Sequence, residues 1–565
     1  MVELGPTLPV SREIFKTKYA GDNESFEQAM SRVARALSDS SEHEAAFFDI
    51  LAHQRFIPAG RILAGAGSPR KVTMFNCFVM DTVPDDFDGI MRVAHEAGKT
   101  MRMGGGVGYS FSQLRPRGDL IKSLDSRASG PVSFMGIFDS VCKTIASAGH
   151  RRGAQMGALD VSHPSIEEFI HAKNDNTSLT GFNISVGISD KFMRAVEANS
   201  SFDLEFNGKV YKTVDARNLW DQIMQSTWDY AEPGVLFLDR INEMNNLNQI
   251  ERIVTVNPCQ EQGLPPYGAC LLGSFNLTKY ISFLDSGVPM FKLSQLIADI
   301  PHVVRAMDNV VDRSIYPLPQ QEQEAKSKRR MGLGVTGLAN AIEVFDLPYG
   351  CPKFIQQTEH ILNIIKNYTY EASTMLAKEK GSFPLFNKDQ YLNGKFIMSL
   401  SPHVRNLIAQ HGIRNSHLTS IAPTGTISLT ADNVSSGIEP TFSVRYERTV
   451  QTFEGPKIEV VEDYGYHNWG YEPKTADMCS IDDHLNVLLA AQKHVDSAIS
   501  KTVNVGDHVT FEEFKEVYMK AWKGGGKGVS TFRAAGKRMG ILNAVDSEPK
   551  ACYIDPETGQ KVCGE

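Results

Sequence analysis

The spacing of apolar positions changes along the 565-residue chain. Between residues 11 and 56 apolar side chains recur at helical spacing, as in the stretch from Glu24 to Leu37, and predict helices. From about residue 70 to 450, short apolar stretches such as 73–80 alternate with longer amphipathic ones such as 87–103. That alternation predicts an α/β architecture with a largely parallel sheet or barrel.

Other segments follow neither pattern. The glycine-rich run from Phe56 to Gly67 predicts turns, and the aromatic, acidic stretch 452–480 predicts an irregular surface excursion. Residues 511–522 predict a helix, which the flexible turn 523–529 follows. These patterns divide the chain into an N-terminal helical region (1–70), an α/β region (71–545) and a polar, mobile C-terminal tail (546–565).

Composition and charge limit the class of protein. The chain is 42% hydrophobic and 22% charged, an ordinary profile for a folded globular protein. Its formal net charge of -8 gives no reason to expect nucleic-acid binding. No run approaches eighteen apolar residues, and the first six residues do not resemble a secretory signal, so we expect a cytoplasmic protein without a membrane partner.

The eight cysteines are too few for a disulfide scaffold in so long a chain. In a reducing compartment they are more often buried, catalytic or metal-binding. Cys142 lies on an apolar helical face and is interpreted as a core residue. Cys552 and Cys563 lie near the chain end, where their spacing leaves two interpretations open, half a zinc site and a mobile redox dithiol.

The segment 255–277 carries most of the candidate chemistry. It contains Asn257, Cys259 and Glu261, and then a second thiol at Cys270. If the run is extended, residues 257, 259 and 261 point to the same side and form an array of hydrogen bonder, sulfur and acid/base. Taken alone, Cys259 is more often a buried structural thiol, but a neighbouring carboxylate favours catalysis on a polyhydroxylated substrate. The flanking prolines exclude a helix and favour a loop or strand end.

Three further motifs leave alternatives open. Gly104–Gly108 is compatible with a phosphate against bare backbone or with a tight turn. Ala422–Ser428 is compatible with an anion site at a helix start or with an ordinary cap. The two arginines of the glycine-flanked loop 149–157 are solvated by default, although they also suit contacts to a phosphate or a base.

Taken together, the motifs closely resemble the catalytic subunit of ribonucleotide reductases, particularly the adenosylcobalamin-dependent class II. The resemblance covers about residues 11 to 540. It is carried by nine motifs in the family's order: 58–67, 76–77, 104–109, 151–156, 257–261, 267–277, 329–338, 422–428 and 437–440.

The resemblance implies a ten-stranded α/β barrel with a finger loop that carries a radical cysteine into its centre. It implies that Cys259 becomes a thiyl radical and abstracts the 3′ hydrogen of a ribonucleotide. Glu261 would act as base on the 3′ hydroxyl, and Asn257 would bind the ribose hydroxyls. Cys77 and Cys270 would supply protons and electrons as the 2′ hydroxyl leaves as water, and would end as a disulfide.

Other roles also follow from the resemblance alone. The tail thiols Cys552 and Cys563 would re-reduce the disulfide. The substrate phosphates would be held by the loop residues Thr424, Gly425, Thr426, Ile427 and Ser428. Effector binding and its relay to the substrate base would involve Asp85, Arg117, Arg151, Arg152 and Gln155. No metal site is expected.

The implied partners are ribonucleoside di- or triphosphate substrates, deoxynucleotide or ATP specificity effectors, a thioredoxin- or glutaredoxin-type reductant and a second copy in a homodimer. The chain departs from the family pattern at Gln260, where glycine is usual. It starts almost directly at the catalytic region, without room for an ATP-binding cone, and its tail is short with widely spaced cysteines.

The radical source decides the class. Class I subunits carry adjacent tyrosines near the C-terminus, whereas the matching stretch 529–538 has none. No glycyl-radical segment of class III is recognisable, so adenosylcobalamin is the expected cofactor. The alternatives are a class I-like subunit that needs a separate radical-generating protein, or a nucleotide-binding relative that has lost catalysis. The presence of all five expected cysteines argues against the latter.

Overall fold

The computed structural model describes residues 4–148, 153–452 and 455–533, together with residue 536 and the short segments 543–544, 553–554 and 561–562. The helices in these parts of the chain are α1 (Pro9–Lys18), α2 (Phe26–Leu37), α3 (Ser41–Ala52), α4 (Gly60–Gly65), α5 (Phe87–Arg102), α6 (Pro131–Ala148), α7 (Ile166–Ile170), α8 (Asp190–Glu197), α9 (Ala216–Tyr230), α10 (Leu238–Glu243), α11 (Leu293–Arg313), α12 (Pro319–Lys328), α13 (Leu338–Glu343), α14 (Pro352–Lys380), α15 (Lys388–Leu392), α16 (Lys395–Met398), α17 (Pro402–His411), α18 (Gly425–Leu429), α19 (Tyr464–Trp469), α20 (Ile481–Gln492) and α21 (Phe511–Lys523), with one 3₁₀ turn at Leu277–Tyr280.

The strands alternate with these helices. They are β1 (Phe56–Pro58), β2 (Cys77–Val79), β3 (Gly106–Ser110), β4 (Leu120–Ile121), β5 (Ser126–Arg127), β6 (Gln155–Asp160), β7 (Phe182–Ile188), β8 (Ser201–Phe206), β9 (Lys209–Asp215), β10 (Gly234–Phe237), β11 (Ala269–Asn276), β12 (Ile281–Phe283), β13 (Pro289–Phe291), β14 (Met331–Thr336), β15 (Arg445–Thr452), β16 (Gly455–Glu462), β17 (Thr502–Val505), β18 (Gly528–Arg533), β19 (Asn543–Ala544), β20 (Tyr553–Ile554) and β21 (Lys561–Val562).

The main sheet has ten strands and is built from two sets of parallel strands. In the first set β2, β3, β6, β7 and β10 lie side by side and run parallel. In the second set β11 is parallel to β14, and β17 is parallel to β18. The two sets meet antiparallel, at β2 against β11 and at β10 against β18, while β1 pairs antiparallel with the C-terminal half of β11.

The segment 417–421 closes the sheet on itself. Thr419 forms a parallel bridge with Leu333 of β14, and Ile421 forms one with Ile499, just before β17. The strands therefore follow one another around a complete ring. This confirms the ten-stranded α/β barrel expected from the resemblance. Parallel strands covered by helices are buried on both faces, which explains why β6, β7, β11 and β14 are almost entirely buried.

The N-terminal helices pack onto the barrel through a shared core. Helix α2 starts at a capping box, in which Ser25 and Gln28 bind each other's backbone N–H groups. Its apolar face buries Met30, Val33 and Leu37 within one continuous hydrophobic cluster that also includes the barrel strands. Asn309 of α11 donates its side-chain amide to the carbonyl oxygen of Leu37 at 2.9 Å, which joins α2 to the helical layer.

Several local expectations agree with the structure. Helices were predicted at 24–37, 87–103 and 511–522, and α2, α5 and α21 occupy these stretches. Two expectations were wrong. Residues 60–65 form helix α4 instead of turns, because Ile62 and Leu63 are buried by tertiary packing that overrides the weak helix propensity of glycine. Residues 455–469 form strand β16 and helix α19 instead of an irregular excursion.

Among the described residues, no helix combines the length and the apolar character needed to cross a membrane.

Candidate active site

The segment 256–263 forms a tight hairpin, which we call the finger hairpin. Val256 and Gly263 form an antiparallel bridge at its base. Asn257 closes the hairpin twice, because its N–H donates to the carbonyl oxygen of Gln262 (3.0 Å) and its side-chain oxygen accepts from the N–H of Gln262 (2.9 Å). At the tip, the N–H of Gln260 donates to the carbonyl oxygen of Asn257 (3.0 Å), which completes a β-turn with proline in its second position.

The hairpin corrects the hypothesis of an extended strand. Side-chain alternation does not apply in a turn, and Asn257 and Glu261 are buried while Cys259 is exposed at the tip. The prediction that prolines favour a loop here is confirmed. The turn presents one thiol outward and holds the amide and the carboxyl group inside the barrel.

Glycines on the barrel strands make room for the finger hairpin. A Cβ atom at Gly108 would lie 3.0 Å from the carbonyl carbon of Val256, and one at Gly106 would lie 3.2 Å from the ring of Pro258. A Cβ atom at Gly234 of β10 would lie 2.7 Å from the Gln260 amide, and one at Gly332 of β14 would lie 2.5 Å from the Gln262 amide. In the run Gly104–Gly108, close packing against the hairpin explains Gly106 and Gly108, whereas Cβ atoms at Gly104 and Gly105 would meet the side chains of Arg61 and Phe78. Sequence reasoning did not single out Gly234, and it included Gly332 only within the motif 329–338, because the partners of both glycines are distant in the chain.

Hydrogen bonds fix the finger hairpin to opposite sides of the barrel. The carbonyl oxygen of Glu261 accepts from the hydroxyl of Ser420 and from the N–H of Ala498, both at 2.9 Å. On the other side, the side-chain amide of Asn183 in β7 donates to the carbonyl oxygen of Pro258 at 3.0 Å. The barrel therefore determines where the tip lies.

The structure brings the buried acid, the amide and one thiol of the buried pair together. The thiol of Cys77 donates to Oε1 of Glu261 at 3.5 Å, and Nδ2 of Asn257 donates to the Cys77 sulfur at 3.1 Å. Both polar ends of the Asn257 side chain therefore contact protein groups. Glu261 Oε2 is buried and has no hydrogen-bond partner among the described residues, so it is available to a ligand hydroxyl.

Cys270 lies directly opposite Cys77 on the neighbouring antiparallel strand. Opposed residues on antiparallel strands have Cα atoms about 4.5–5.5 Å apart, a separation that a disulfide can span. Both thiols belong to a small apolar cluster with Leu264 and Val79, and both are buried, unlike the exposed Cys259. The pair is placed to exchange two electrons by making or breaking one sulfur–sulfur bond.

Burial controls the protonation of these groups. Burial raises the pKa of Glu261, which makes its carboxylate a stronger proton acceptor. Burial also raises the pKa of Cys77, and the negative charge of Glu261 adds to this effect. For Cys270 burial again raises the pKa, while the positive charge of Arg330 opposes the rise. Both buried cysteines are therefore held as neutral thiols, the form that carries protons as well as electrons.

The phosphate-loop candidates lie close to this cluster along the chain. Ser420, which contacts Glu261, precedes Thr424 by four residues, a span of at most about 14 Å. The hydroxyl of Thr424 accepts from the N–H of Gly437 at 2.7 Å and lies 3.0 Å from that of Thr336. A Cβ atom at Gly425 would meet nothing within 4 Å, so the start of the short α18 faces open space.

The three effector candidates that the structure describes, Asp85, Arg117 and Gln155, each contact different partners. Asp85 accepts from the backbone N–H and the side chain of Arg115, whereas Arg117 forms an ion pair with Glu168 at 2.8 Å. Gln155 is buried, accepts from the hydroxyl of Tyr109 at 2.8 Å and donates to the carbonyl oxygen of Phe138. Four candidates lie outside the described residues: Arg151, Arg152, Cys552 and Cys563.

In the parts of the chain that the structure describes, no three His, Cys, Asp or Glu side chains are grouped as a metal site. The side chains at the finger hairpin offer thiol and acid/base chemistry instead. An exposed thiol can meet a reagent at the tip, a buried carboxylate can accept a proton, and a buried dithiol can deliver two electrons.

Two family models match the chain. The model described as "Ribonucleotide reductase, barrel domain" matches residues 75–532, and the model described as "Ribonucleotide reductase, all-alpha domain" matches residues 9–71.

Curated relatives match over most of the chain. The vitamin B12-dependent ribonucleoside-diphosphate reductase of Mycobacterium tuberculosis (strain CDC 1551 / Oshkosh) is 33% identical over 541 residues, which cover 90% of this chain and 75% of that protein. The protein of the same name from Thermoplasma acidophilum is 31% identical over 585 residues, with 97% and 73% covered. The vitamin B12-dependent ribonucleotide reductase of Streptomyces avermitilis is 26% identical over 601 residues, with 92% and 62% covered.

Proposed function

Because the chain belongs to the ribonucleotide reductase family, we propose that it reduces ribonucleotides to 2′-deoxyribonucleotides with adenosylcobalamin as its radical source. One observation carries the proposal, namely the exposed thiol of Cys259 on a hairpin whose other residues hold a buried carboxyl group beside a cross-strand thiol pair. An exposed thiol, a buried proton acceptor and a buried dithiol support the proposal.

The proposed reaction uses the three thiols in two different ways. The Cys259 thiyl radical takes the 3′ hydrogen atom and returns it at the end, so it is regenerated. Glu261 accepts the proton of the 3′ hydroxyl, for which its buried Oε2 is available. The buried pair Cys77 and Cys270 gives up two electrons and two protons and becomes a disulfide, while the 2′ hydroxyl leaves as water. The sum is ribonucleotide plus dithiol to deoxyribonucleotide plus disulfide plus water.

The exposed position of Cys259 on the finger hairpin is compatible with a radical that comes from a bound cofactor. Adenosylcobalamin, when bound, would supply the radical that removes the hydrogen atom from the Cys259 thiol. Cys259 is the residue that would face the cofactor, because it is exposed whereas Cys77 and Cys270 are buried. The lack of a tyrosine pair in the stretch 529–538 and the printed names of the relatives support this choice over a radical from a partner subunit.

Substrate and regulatory contacts are part of the proposal. The substrates are ribonucleoside di- or triphosphates, whose phosphates bind the loop Thr424–Ser428, and Asn257 helps to position the ribose. Deoxynucleotide or ATP effectors bind near Asp85 and Arg117. The loop 149–157 transmits the identity of the bound effector to the site that binds the substrate base. A thioredoxin- or glutaredoxin-type protein reduces the tail thiols Cys552 and Cys563, and the chain works as a homodimer.

The test is a turnover assay with the purified full-length chain, adenosylcobalamin and a dithiol, supplied separately with ribonucleoside diphosphates and triphosphates. We expect deoxynucleotide formation without any second protein. Cys259→Ala should abolish it while nucleotide binding persists. Cys351→Ser is the matched control, because Cys351 is partly exposed and serine can replace it as the N-cap of α14, so activity should remain. Activity that requires another protein, or that survives Cys259→Ala, would contradict the proposal.

A further inference from the structure

Gln260 has a backbone conformation that does not suit its side chain. Its φ angle is +69°, in the left-handed region that glycine adopts without strain and that other residues avoid. The residue lies at the tip of the finger hairpin, directly after Cys259. Turn geometry alone would favour glycine at this position, so the glutamine side chain must have another reason to be there.

The side-chain amide of Gln260 connects two strands of the barrel. Its Nε2 donates to the hydroxyl of Ser185 in β7 at 3.1 Å, and its Oε1 accepts from the hydroxyl of Ser530 in β18 at 3.1 Å. These strands lie on either side of β10. The amide passes over β10 at Gly234, where a Cβ atom would lie 2.7 Å from Nε2. Ser185 is fully buried, so its hydroxyl is a fixed anchor.

We propose that Gln260 is a positioning residue that holds the Cys259 sulfur in its reactive place by bridging β7 and β18. The inference rests on the proposed function, because it assigns the bridge a role in the radical step. Asn183 fixes only the carbonyl oxygen of Pro258 on the other side of Cys259. With Gln260 also held, both neighbours of the radical-carrying residue are tied to the barrel.

At Gln260 backbone strain destabilises the fold, whereas the two side-chain hydrogen bonds stabilise it. Variants that remove one or both therefore distinguish an effect on the position of Cys259 from an effect on stability. Gln260→Gly removes the strain and the bridge together, so the melting temperature should stay the same or rise. Gln260→Leu keeps the strain and removes the bridge, so the melting temperature should fall. Gln260→Glu keeps the bridge, because a carboxylate can accept hydrogen bonds from both serine hydroxyls.

The kcat of each variant should depend on whether the hydrogen-bonded bridge is present, and not on the melting temperature. We expect Gln260→Gly and Gln260→Leu to lower kcat by roughly 10- to 100-fold with KM nearly unchanged, the size of effect that a misplacement of about 1 Å produces. Gln260→Glu should keep most of the activity. The double variant Ser185→Ala with Ser530→Ala should match Gln260→Leu, and combining all three changes should add little, as for residues that act as one unit.

A second measurement does not depend on turnover. Alkylation of Cys259 by iodoacetamide, followed by mass spectrometry of its peptide, should change severalfold in rate when the bridge is lost and stay unchanged in Gln260→Glu. Wild-type kcat and alkylation rate in Gln260→Leu would overturn the inference. If the wild-type chain forms no deoxynucleotide but the alkylation rates change as expected, the proposed function fails while the positioning by Gln260 stands.

Discussion

The contact between Gly108 and the finger hairpin gives the sharpest test of how the barrel places the Cys259 thiol. In Gly108→Ala the new Cβ atom would lie 3.0 Å from the carbonyl carbon of Val256, and closer still to the carbonyl oxygen. Carbon atoms in contact lie about 3.5–4.0 Å apart, so the two backbones must separate by at least about 0.5–1 Å. Strand β3 is bonded on both sides, to β2 and β6, so the hairpin is the part that moves.

That displacement should affect activity more than stability. Overpacking of a tight contact costs about 1–3 kcal/mol, which urea unfolding measures. A misplacement of about 1 Å at the reacting group lowers the rate about 100-fold, which the deoxynucleotide assay measures as kcat. The ratio of the two effects distinguishes a misplaced thiol from a chain that has merely become unstable.

A graded series provides the controls. A Cβ atom at Gly106 would lie 3.2 Å from the Pro258 ring, so a shift of a few tenths of an ångström suffices and Gly106→Ala should lose much less activity. A Cβ atom at Gly136 in α6 would meet nothing within 4 Å, so Gly136→Ala should keep full activity and gain up to about 1 kcal/mol of stability. Wild-type turnover in Gly108→Ala, or an equal loss in all three variants, would refute the reasoning.

Three further outcomes follow from the site and the core. Burial raises the pKa of Glu261, so ionisation of its carboxyl group destabilises the fold as pH rises through the folded pKa. Glu261→Gln should therefore be more stable than wild type at pH 8, and this gain should disappear below the ordinary glutamate pKa. Urea unfolding at several pH values checks this, and a less stable variant at pH 8 would contradict it. A single turnover without external reductant should yield a peptide pair linked through Cys77 and Cys270, which mass spectrometry detects. Changing either cysteine to serine should stop dithiol-dependent turnover. Unlinked peptides after turnover would argue against the pair. Ser25→Ala removes the capping box of α2 and should cost about 1 kcal/mol of stability with unchanged kcat, whereas unchanged stability would count against that role.

Local periodicity predicted much of the fold. Helix α5 falls where residues 87–103 show apolar positions at helical spacing, and alternating elements indicated a parallel α/β sheet. Closure of the barrel could not be derived in the same way, because it depends on the bridge between Thr419 and Leu333 and on the bridge between Ile421 and Ile499. The resemblance supplied that part, since family motifs carry long-range information that spacing lacks.

In the candidate site, too, local features could be predicted and long-range contacts could not. The sequence identified Asn257, Cys259 and Glu261 as a group, but it suggested strand alternation where a hairpin separates the exposed thiol from the buried acid. The hairpin forms because the Asn257 side chain binds Gln262, a local side-chain bond that competes with strand pairing. The space at Gly234 could not be predicted, because it matters only when a loop from elsewhere in the chain lies across it.

The antiparallel junction between β2 and β11 has a consequence for how the chain folds. Cys77 and its partner Asn257 are separated by 180 residues, and Cys270 follows farther still. Pairings of such long sequence separation form slowly, because the closure entropy of the chain between them must be overcome first. In a growing or half-folded chain Cys77 is therefore apart from both Cys270 and Glu261. The candidate site is complete only once both sets of parallel strands have met, so the order of folding leaves incomplete copies of the protein without it.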